Sequence, residues 1–322
     1  MRPLPRRLLG LLAFAALALP SLLPAAPALA ALPPAVKRVV FLGDSITQGG
    51  FYTVCVETYF RTRYPASAPE FINVGLSSET VSGLSEPNHA SGAFPRPDLH
   101  ERLERVLARL KPDLVFACYG MNDGIYLPYD EARARAYHDG IVRLRTAVLA
   151  AGAKLVHLTP PVYVDVKGNA PTYAAVLERY AAWLVARRAD GWDVADIHTA
   201  MARELAAQRA RDPAFTFARD GVHPDDRGHW IMARTLLRHL GAADLPDTLE
   251  AAAAFSGVPA GAEILKLVRT RSGLLRDAWL SAIGHKRPGK PGPPLADAER
   301  RAADLEKQIR ALQASVPAAA KP

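Results

Sequence analysis

Ser45, Asp220 and His223 have side chains of the types that together carry out nucleophilic catalysis. Ser45 lies in VVFLGDSITQGG, residues 39–50, where an apolar run ends and a polar turn follows. This pattern predicts a buried strand that ends in a sharp loop and presents the serine hydroxyl at a sheet edge. A serine hydroxyl is a poor nucleophile until a base takes its proton, and His223 is the candidate base. Asp220 could hold the imidazole in the right tautomer, provided that Gly221 allows the loop to turn tightly.

Such a site also needs hydrogen-bond donors for the oxyanion that forms when the hydroxyl attacks a carbonyl. The candidate donors are the backbone N–H groups of Ser45 and Gly75 and the side-chain amide of Asn122. Each donor of this kind is typically worth about 3 kcal/mol in the transition state. Taken singly, every one of these residues has an ordinary structural interpretation, such as a turn residue or a steric need for glycine. Taken together, they predict a catalytic site.

The scaffold for these residues is predicted from an alternation of strand and helix patterns. Five short, mostly apolar segments read as strands, and they occupy residues 38–43, 70–75, 113–119, 154–159 and 192–197. Helical patterns fill the intervals, and a last one covers residues 226–240. Strands with little polar alternation indicate a sheet covered on both faces. We therefore predict an α/β fold with three α/β/α layers and a doubly wound, five-stranded parallel sheet.

A strand order of 2-1-3-4-5 would bring the candidate residues together. Ser45 follows strand one, Gly75 ends strand two and Asn122 follows strand three, and these strands are neighbours in that order. His223 lies beyond strand five, in the loop before the last helix of this pattern. In such sheets ligands bind beyond the carboxyl ends of the strands. The predicted active site is therefore at that edge.

Four short motifs resemble the sequence blocks of the SGNH/GDSL esterases. They are GDSITQG around Ser45, INVG with Gly75, GMND with Asn122, and D-x-x-H from Asp220 to His223. The resemblance extends over about residues 38–240 and implies a flavodoxin-like fold. It also implies ester hydrolysis through an acyl-enzyme, without a metal or a cofactor.

The second block departs from the family pattern at one position. Asn73, Gly75 and Thr80 fit N-x-G-x-x-G-x-T, but Ser78 stands where a glycine is common. The expected effect is on the conformation of the loop rather than on Gly75.

The substrate is expected to be a small-molecule or polysaccharide ester, and O-acetyl groups on carbohydrate are the leading hypothesis. Tyr119, Tyr126 and Tyr129 lie near Asn122 and could either stack on sugar rings or simply pack. A lipase or lysophospholipase acting on envelope lipids is the alternative within the same chemistry. A non-catalytic carbohydrate-binding or scaffold protein that keeps the fold is the alternative from another class.

Other chemistries find little support in the sequence. A metal site made of Asp220, His223 and His229 matches no standard ligand spacing. His157 lies inside a predicted strand and is expected to be a core residue. The chain has no G-x-S-x-G nucleophile elbow and no glycine-rich phosphate loop. Its formal net charge of +8 comes from the first residues and the C-terminal part, so nucleic acid is not an expected partner of the body.

The two ends of the chain differ from this body. Residues 1–30 combine a basic start, an apolar run and Ala-Leu-Ala, which predicts a signal peptide and a secreted or periplasmic protein. We then expect a hydrolase domain over residues 31–245, a helical extension over residues 246–322, and no later membrane span. Cys55 and Cys118 could pair after export or remain buried thiols.

The extension contains two helical patterns separated by a Pro/Gly-rich segment, residues 284–294. In the second, apolar residues recur at steps of three and four, and they are Leu295, Ala298, Ala302, Leu305, Ile309, Leu312 and Val316. A helix that packs back on the body is the favoured interpretation, and weak self-association through residues 295–316 is the alternative. The extension is also hypothesised to cover the active-site edge and narrow the substrate range.

Overall fold

The computed structural model describes residue 32, residues 35–166, residue 168 and residues 170–315 of the 322-residue chain. The predicted signal peptide, residues 1–30, and the last residue of the predicted apolar seam, Val316, lie outside the described residues.

The sheet has the predicted architecture. Its five strands are β1 (Arg38–Gly43), β2 (Glu70–Asn73), β3 (Leu114–Cys118), β4 (Lys154–Leu158) and β5 (Asp193–Ala195). All neighbouring strands are parallel and the order is β2-β1-β3-β4-β5, which confirms the predicted order. From Val39 to Leu42 the side chains of β1 are wholly buried. Because β1 is buried on both faces, it is apolar throughout instead of alternating.

Ten α-helices surround and extend this sheet among the described residues. They are α1 (Ser45–Gly49), α2 (Phe51–Arg63), α3 (Leu103–Leu110), α4 (Glu131–Ala150), α5 (Tyr173–Ala186), α6 (Ile197–Arg209), α7 (Asp226–His239), α8 (Ala251–Ser256), α9 (Gly261–Ile283) and α10 (Leu295–Ser315). Short 3₁₀ turns occupy His89–Gly92, Leu99–Glu101 and Arg187–Asp190. The predicted helices are present, with ends that differ by a few residues.

The main local difference lies directly after β1, where the sequence predicts a polar loop. The chain instead forms the one-turn helix α1, which Asp44 caps by accepting a hydrogen bond from the Ile46 N–H at 2.9 Å. The helix ends at Gly50, whose φ of +70° belongs to the left-handed region. A helix of five residues is too short to show a repeating apolar pattern, so in the sequence only its capping residues could indicate it.

The long loop between β2 and α3 is ordered by a buried ion pair. Glu79 and Arg102 are both fully buried and meet through two hydrogen bonds of 2.6 and 2.7 Å. Tyr119 donates to the same carboxylate at 2.7 Å, and Arg102 also donates to the Val74 carbonyl at 2.8 Å. Buried charges of this kind are tolerated only when they are paired and hydrogen-bonded. This network fixes the loop against the end of β3.

The C-terminal helices pack on the body within the same chain. Helix α9 lies against α2, β2 and α3, and α10 lies against α9. In the apolar seam of α10, Ala298, Ala302 and Ile309 are buried. The described structure therefore favours the interpretation in which this helix packs back on the body. Self-association through residues 295–316 and the proposed domain limits stay predictions.

An ion-pair network ties α2 to the extension. Arg61 contacts Glu57 at 2.6 Å and Glu306 at 3.0 Å, and Arg271 contacts both carboxylates at 3.3 Å. Since α7 covers α2 on one side and α9 on another, even Glu57 and Arg61 are buried. The extension thus covers part of α2 and supplies ion-pair partners to its buried charges.

Two further sequence-based expectations have structural outcomes. Cys55 and Cys118 are both buried free thiols, so they do not form a disulfide. Among the described helices, none combines the length and the apolar character needed to cross a bilayer.

Candidate active site

Ser45 stands at the carboxyl end of β1, as the first residue of α1. No described residue accepts its backbone N–H, because the Asp44 cap takes the N–H of Ile46 instead. The approach of the chain to α1 requires glycine at position 43. A Cβ there would lie 2.1 Å from Thr47 Oγ1 and 2.7 Å from the Cys118 carbonyl oxygen. The serine is therefore held on a tight strand-to-helix turn with a free N–H beside its hydroxyl.

The loop before α7 brings His223 and Asp220 to this serine. Ser45 Oγ lies 2.8 Å from His223 Nε2, and Asp220 Oδ2 lies 2.6 Å from His223 Nδ1. Since Asp220 is an acceptor, it holds the proton of a neutral imidazole on Nδ1 and leaves Nε2 to accept from the serine hydroxyl. The three predicted residues form a continuous hydrogen-bonded chain, the geometry that serine activation needs.

The turn that holds Asp220 depends on Gly221. Asp220 Oδ1 accepts the backbone N–H groups of Val222 and His223 at 2.9 and 2.8 Å. Gly221 has a φ of +86°, and a Cβ on it would meet the Val164 carbonyl oxygen at 2.1 Å. The Val164 N–H in turn donates to the Gly221 carbonyl at 3.0 Å. The tight turn predicted from D-x-x-H is thus present and is braced by the segment after β4.

Asp220 is charged in this arrangement. Partial burial raises the pKa of its carboxyl group, but hydrogen bonds from the His223 ring and from the backbone N–H groups of His223 and Val222 outweigh it. Together they lower the pKa of Asp220 to about 2. The side chains of His223 and Asp220 are 50% and 48% exposed. The candidate base is thus reachable from solvent and from a large substrate.

Asn122 follows β3 at the same edge and is buried, with 3% of its surface exposed. Its Nδ2 donates to the Glu79 carbonyl at 3.1 Å, and its Oδ1 lies 3.2 Å from the hydroxyl of Tyr126. The adjacent Asp123 accepts the backbone N–H groups of Val81 and Ser82 at 2.9 and 2.8 Å. The loops that follow β3 and β2 are thereby fixed to each other.

Gly75 differs from the sequence-based assignment. Its N–H donates to Asn73 Oδ1 at 2.9 Å, so this group is already engaged and is not a free donor for an oxyanion. The need for glycine is steric instead. A Cβ on Gly75 would lie 2.5 Å from the backbone nitrogen of Gln48 and 2.7 Å from the carbonyl carbon of Thr47. Gly75 lets the loop after β2 pass directly against α1.

Ser78 is the residue that the sequence-based assignment passed over. It has a φ of +67°, which explains why glycine is common at this position of the family pattern. No described residue accepts its backbone N–H. The preceding Ser77 is bound through its N–H and hydroxyl to Gln48 Oε1, at 2.8 and 2.5 Å, which fastens the loop to α1. We therefore propose the Ser78 N–H, in place of the Gly75 N–H, as the second backbone donor.

The predicted tyrosine cluster separates into different roles. Tyr119 is 1% exposed and bonded to Glu79, so it cannot stack on a sugar. Tyr129 lies under the guanidinium of Arg179, 4.1 Å from the ring centroid. Tyr126 stacks on Tyr173 with ring centroids 4.8 Å apart and touches Asn122. Of the three, only Tyr126 contacts a candidate catalytic residue.

Two histidines outside the triad are buried. His157 is 1% exposed and stacks on Trp192, and burial lowers its pKa to about 3. His229 stacks on Tyr52, and burial lowers its pKa to about 4. Both are core residues. Within the described residues, no group of three or more His, Cys, Asp or Glu is arranged to hold a metal ion.

Asp44 is a buried carboxyl group directly beside the candidate nucleophile. Burial raises its pKa to about 7, although the hydrogen bond from the Ile46 N–H acts in the opposite direction. The nearby Asp123 and Glu79 add to the increase, whereas His223 reduces it. The state of charge of Asp44 is therefore sensitive to pH in the neutral range.

Comparison with known proteins matches the body of the chain to one family. The model of the GDSL-like lipase/acylhydrolase family matches residues 41–231. The acetylxylan esterase of Geobacillus stearothermophilus is 26% identical over 226 residues, which cover 64% of this chain and 94% of that protein. Helices α8–α10 lie beyond the region that the family model matches.

A solved structure shows the same fold at low sequence identity. A tryptophan-to-isoleucine mutant of Axe2, an acetyl-xylooligosaccharide esterase from the same Geobacillus species, superposes with a TM-score of 0.50 and 21% identity. The match covers 66% of this chain and 97% of that one. A gut microbial diltiazem-metabolizing enzyme gives a TM-score of 0.49 at 21% identity, over 64% of this chain and 47% of that chain. This chain thus spans about half the length of the second protein.

Proposed function

This chain belongs to the GDSL-like lipase/acylhydrolase family and is a serine hydrolase of carboxylic esters, and from that premise we propose that it removes short acyl groups, acetyl above all, from carbohydrate. The observation that carries the proposed mechanism is the hydrogen-bonded chain from Ser45 through His223 to Asp220.

In the proposed mechanism Ser45 Oγ attacks the ester carbonyl while His223 Nε2 takes its proton. The charged imidazole is stabilised by Asp220, whose low pKa keeps it ionised. His223 then returns the proton to the departing alcohol, and the acyl group remains on Ser45. Water, deprotonated by the same histidine, attacks the acyl-enzyme. His223 then returns that proton to Ser45 Oγ as the bond to the acyl group breaks and the acid departs.

The oxyanion of each tetrahedral intermediate is proposed to accept three hydrogen bonds. The donors are the backbone N–H groups of Ser45 and Ser78 and one N–H of the Asn122 amide. Among the described residues, none accepts a hydrogen bond from the N–H of Ser45 or of Ser78. The amide nitrogen of Asn122 has one hydrogen left after it donates to the Glu79 carbonyl. Donors that are already oriented cost no rearrangement when the charge develops.

The acetyl-carbohydrate preference is supported by two observations. The relative that matches over 94% of its own length is an acetylxylan esterase. The triad side chains are also half exposed, so the glycan part of a large substrate can lie outside the protein while its ester reaches Ser45. Export to the secreted or periplasmic space is a further proposal, which depends on residues 1–30 alone.

The test compares hydrolysis of p-nitrophenyl acetate, butyrate and octanoate by the wild-type protein and by Ser45→Ala, followed by acetate release from acetylated xylooligosaccharides. We expect acetate to be the best p-nitrophenyl substrate, and Ser45→Ala to be inactive. A preference for octanoate would overturn the short-acyl assignment in favour of lipids. Failure of a serine-directed phosphonate to label wild-type Ser45 would overturn the mechanism.

A further inference from the structure

Tyr126 makes a direct contact with one of the proposed oxyanion donors. Its hydroxyl lies 3.2 Å from Asn122 Oδ1, the oxygen of the amide proposed to hold the oxyanion. The contact is local in sequence, since the two residues belong to the same tight turn after β3. Its consequence depends on which way the amide is turned.

The Glu79 carbonyl decides the orientation of the Asn122 amide. That carbonyl lies 3.1 Å from the amide and can only accept, so the nitrogen of Asn122 must face it. The amide oxygen then faces Tyr126, and the phenol must be the donor. Turning the amide over would set its oxygen against the Glu79 carbonyl oxygen, two acceptors without a hydrogen between them. One Nδ2 hydrogen is used by Glu79, and the other remains for the substrate.

The backbone conformation around Tyr126 constrains the position of its phenol ring. Ile125 and Tyr126 both have left-handed conformations, with φ of +47° and +57°. Such conformations are costly for residues other than glycine and persist only where surrounding contacts impose them. Here the N–H of Ile125 donates to the Asn122 carbonyl at 2.9 Å, which closes the turn on the residue that Tyr126 contacts.

Side-chain contacts hold the ring as well. Tyr126 stacks on Tyr173 at 4.8 Å, and the guanidinium of Arg96 lies 5.4 Å from its ring centroid. The Tyr173 hydroxyl accepts from the Gly124 N–H at 3.1 Å and donates to the Met121 carbonyl at 2.8 Å. The same tyrosine thus supports both the turn and the ring of Tyr126.

We propose that Tyr126 is a positioning residue of the oxyanion hole. By donating to Asn122 Oδ1 it keeps the free Nδ2 hydrogen directed toward the developing oxyanion. A hydrogen bond to an amide oxygen also polarises the amide, which makes its N–H a stronger donor. The inference rests on the proposed role of Asn122, and it does not depend on which ester is the natural substrate.

The test is Tyr126→Phe, assayed on p-nitrophenyl acetate so that activity is measurable whatever the natural ester is. The substitution keeps the ring contacts and removes only the hydroxyl. We expect kcat to fall by about three- to tenfold, because one oriented donor is weakened without being removed, while KM stays within about twofold. Tyr163→Phe is the matched control: its hydroxyl bonds to Asp165 at 3.4 Å, and we expect kcat to be unchanged.

A double-mutant cycle separates action through Asn122 from other effects. In an Asn122→Ala background, Tyr126→Phe should cause no further loss of kcat, since the group that it orients is gone. An equal loss in both backgrounds, an unchanged kcat in Tyr126→Phe, or a rise in KM alone would each overturn the proposal. Failure of the carbohydrate assignment appears instead as a different order of ester preference, which leaves this cycle unaffected.

Discussion

Arg276 of α9 donates a hydrogen bond of 3.0 Å to the backbone carbonyl of Gln48, in the short helix that begins with Ser45. The side chain of Gln48 accepts the N–H and the hydroxyl of Ser77, next to the proposed donor Ser78. A positive charge at the carboxyl end of α1 is also favourable to the helix dipole. The extension therefore touches the segment that carries the nucleophile, although it lies outside the matched family region.

The first prediction concerns Arg276→Ala. We expect kcat to fall by about threefold while KM is unchanged, because the loss of one hydrogen bond loosens α1 without altering the substrate surface. Arg276→Lys should recover part of the loss. Arg105→Ala is the control, since it removes contacts of 3.2 and 3.1 Å to the Ile283 and Gly284 carbonyls, away from α1. Equal losses of kcat in both alanine variants would point to general loosening of the extension.

The second prediction is that truncation after Leu245 destabilises the body. Removal of α9 and α10 uncovers α2 and leaves the buried Glu57 and Arg61 without Arg271 and Glu306. Breaking a buried ion pair from one side typically costs about 3–5 kcal/mol. Thermal unfolding followed by circular dichroism checks this. An unchanged Tm would show that the extension is dispensable for folding and would leave its hypothesised role in substrate range open to direct assay.

The third prediction separates the side chain from the backbone at Ser78. Ser78→Gly keeps the N–H and removes a Cβ from a left-handed position, so activity should be retained and stability should rise by up to about 1 kcal/mol. Gly75→Ala should be strongly destabilising, because its new Cβ meets the Gln48 and Thr47 backbone. Urea unfolding together with p-nitrophenyl acetate kinetics measures both. A large loss of kcat in Ser78→Gly would show that the serine side chain takes part.

Gly75 and Ser78 show which part of the site could not be predicted from the sequence. The strand order and the triad could be predicted, because apolar runs and the spacing of Asp220 and His223 are local patterns. The free N–H could not be chosen correctly, because the choice depends on the Asn73 side chain folding back to occupy the Gly75 N–H. The pattern departure at Ser78 was visible, but its meaning required the backbone angle.

The burial of helix α2 is a feature of the fold that could not be predicted from the sequence either. Its sequence contains charged residues that would normally lie in solvent, yet Glu57 is 3% and Arg61 is 7% exposed. Their burial follows from the extension folding back, and partners such as Glu306 are more than two hundred residues distant in the chain. No window of sequence around α2 contains that information.

The fourth prediction is that Asp220→Asn lowers kcat/KM on the order of ten-thousandfold. The amide nitrogen cannot accept from His223 Nδ1, so the ring loses both its tautomer and the charge that stabilises its protonated form. Because the pKa of wild-type Asp220 is about 2, the aspartate is charged at any pH suited to the assay. Asp212→Asn is the control, since Asp212 accepts only local contacts such as the Ala214 N–H at 3.0 Å. A loss below tenfold would remove Asp220 from the mechanism.

The fifth prediction concerns the pH dependence of stability through Asp44. Its pKa in the folded protein is raised from 3.8 to about 7, mainly by burial, so the folded state binds more protons than the unfolded state in that interval. The stability that this proton contributes is fully present below the unfolded pKa and is lost as the pH rises through the folded one.

Asp44→Asn keeps an oxygen to accept the Ile46 N–H but does not titrate. Relative to wild type, the variant should therefore gain stability as the pH increases from 4 to 7, the interval set by these two pKa values. Urea unfolding of both proteins across this interval measures the difference. Parallel curves would mean that the pKa of Asp44 is not raised in the folded protein, so that an ionised carboxylate would stand next to Ser45 in the chain at neutral pH.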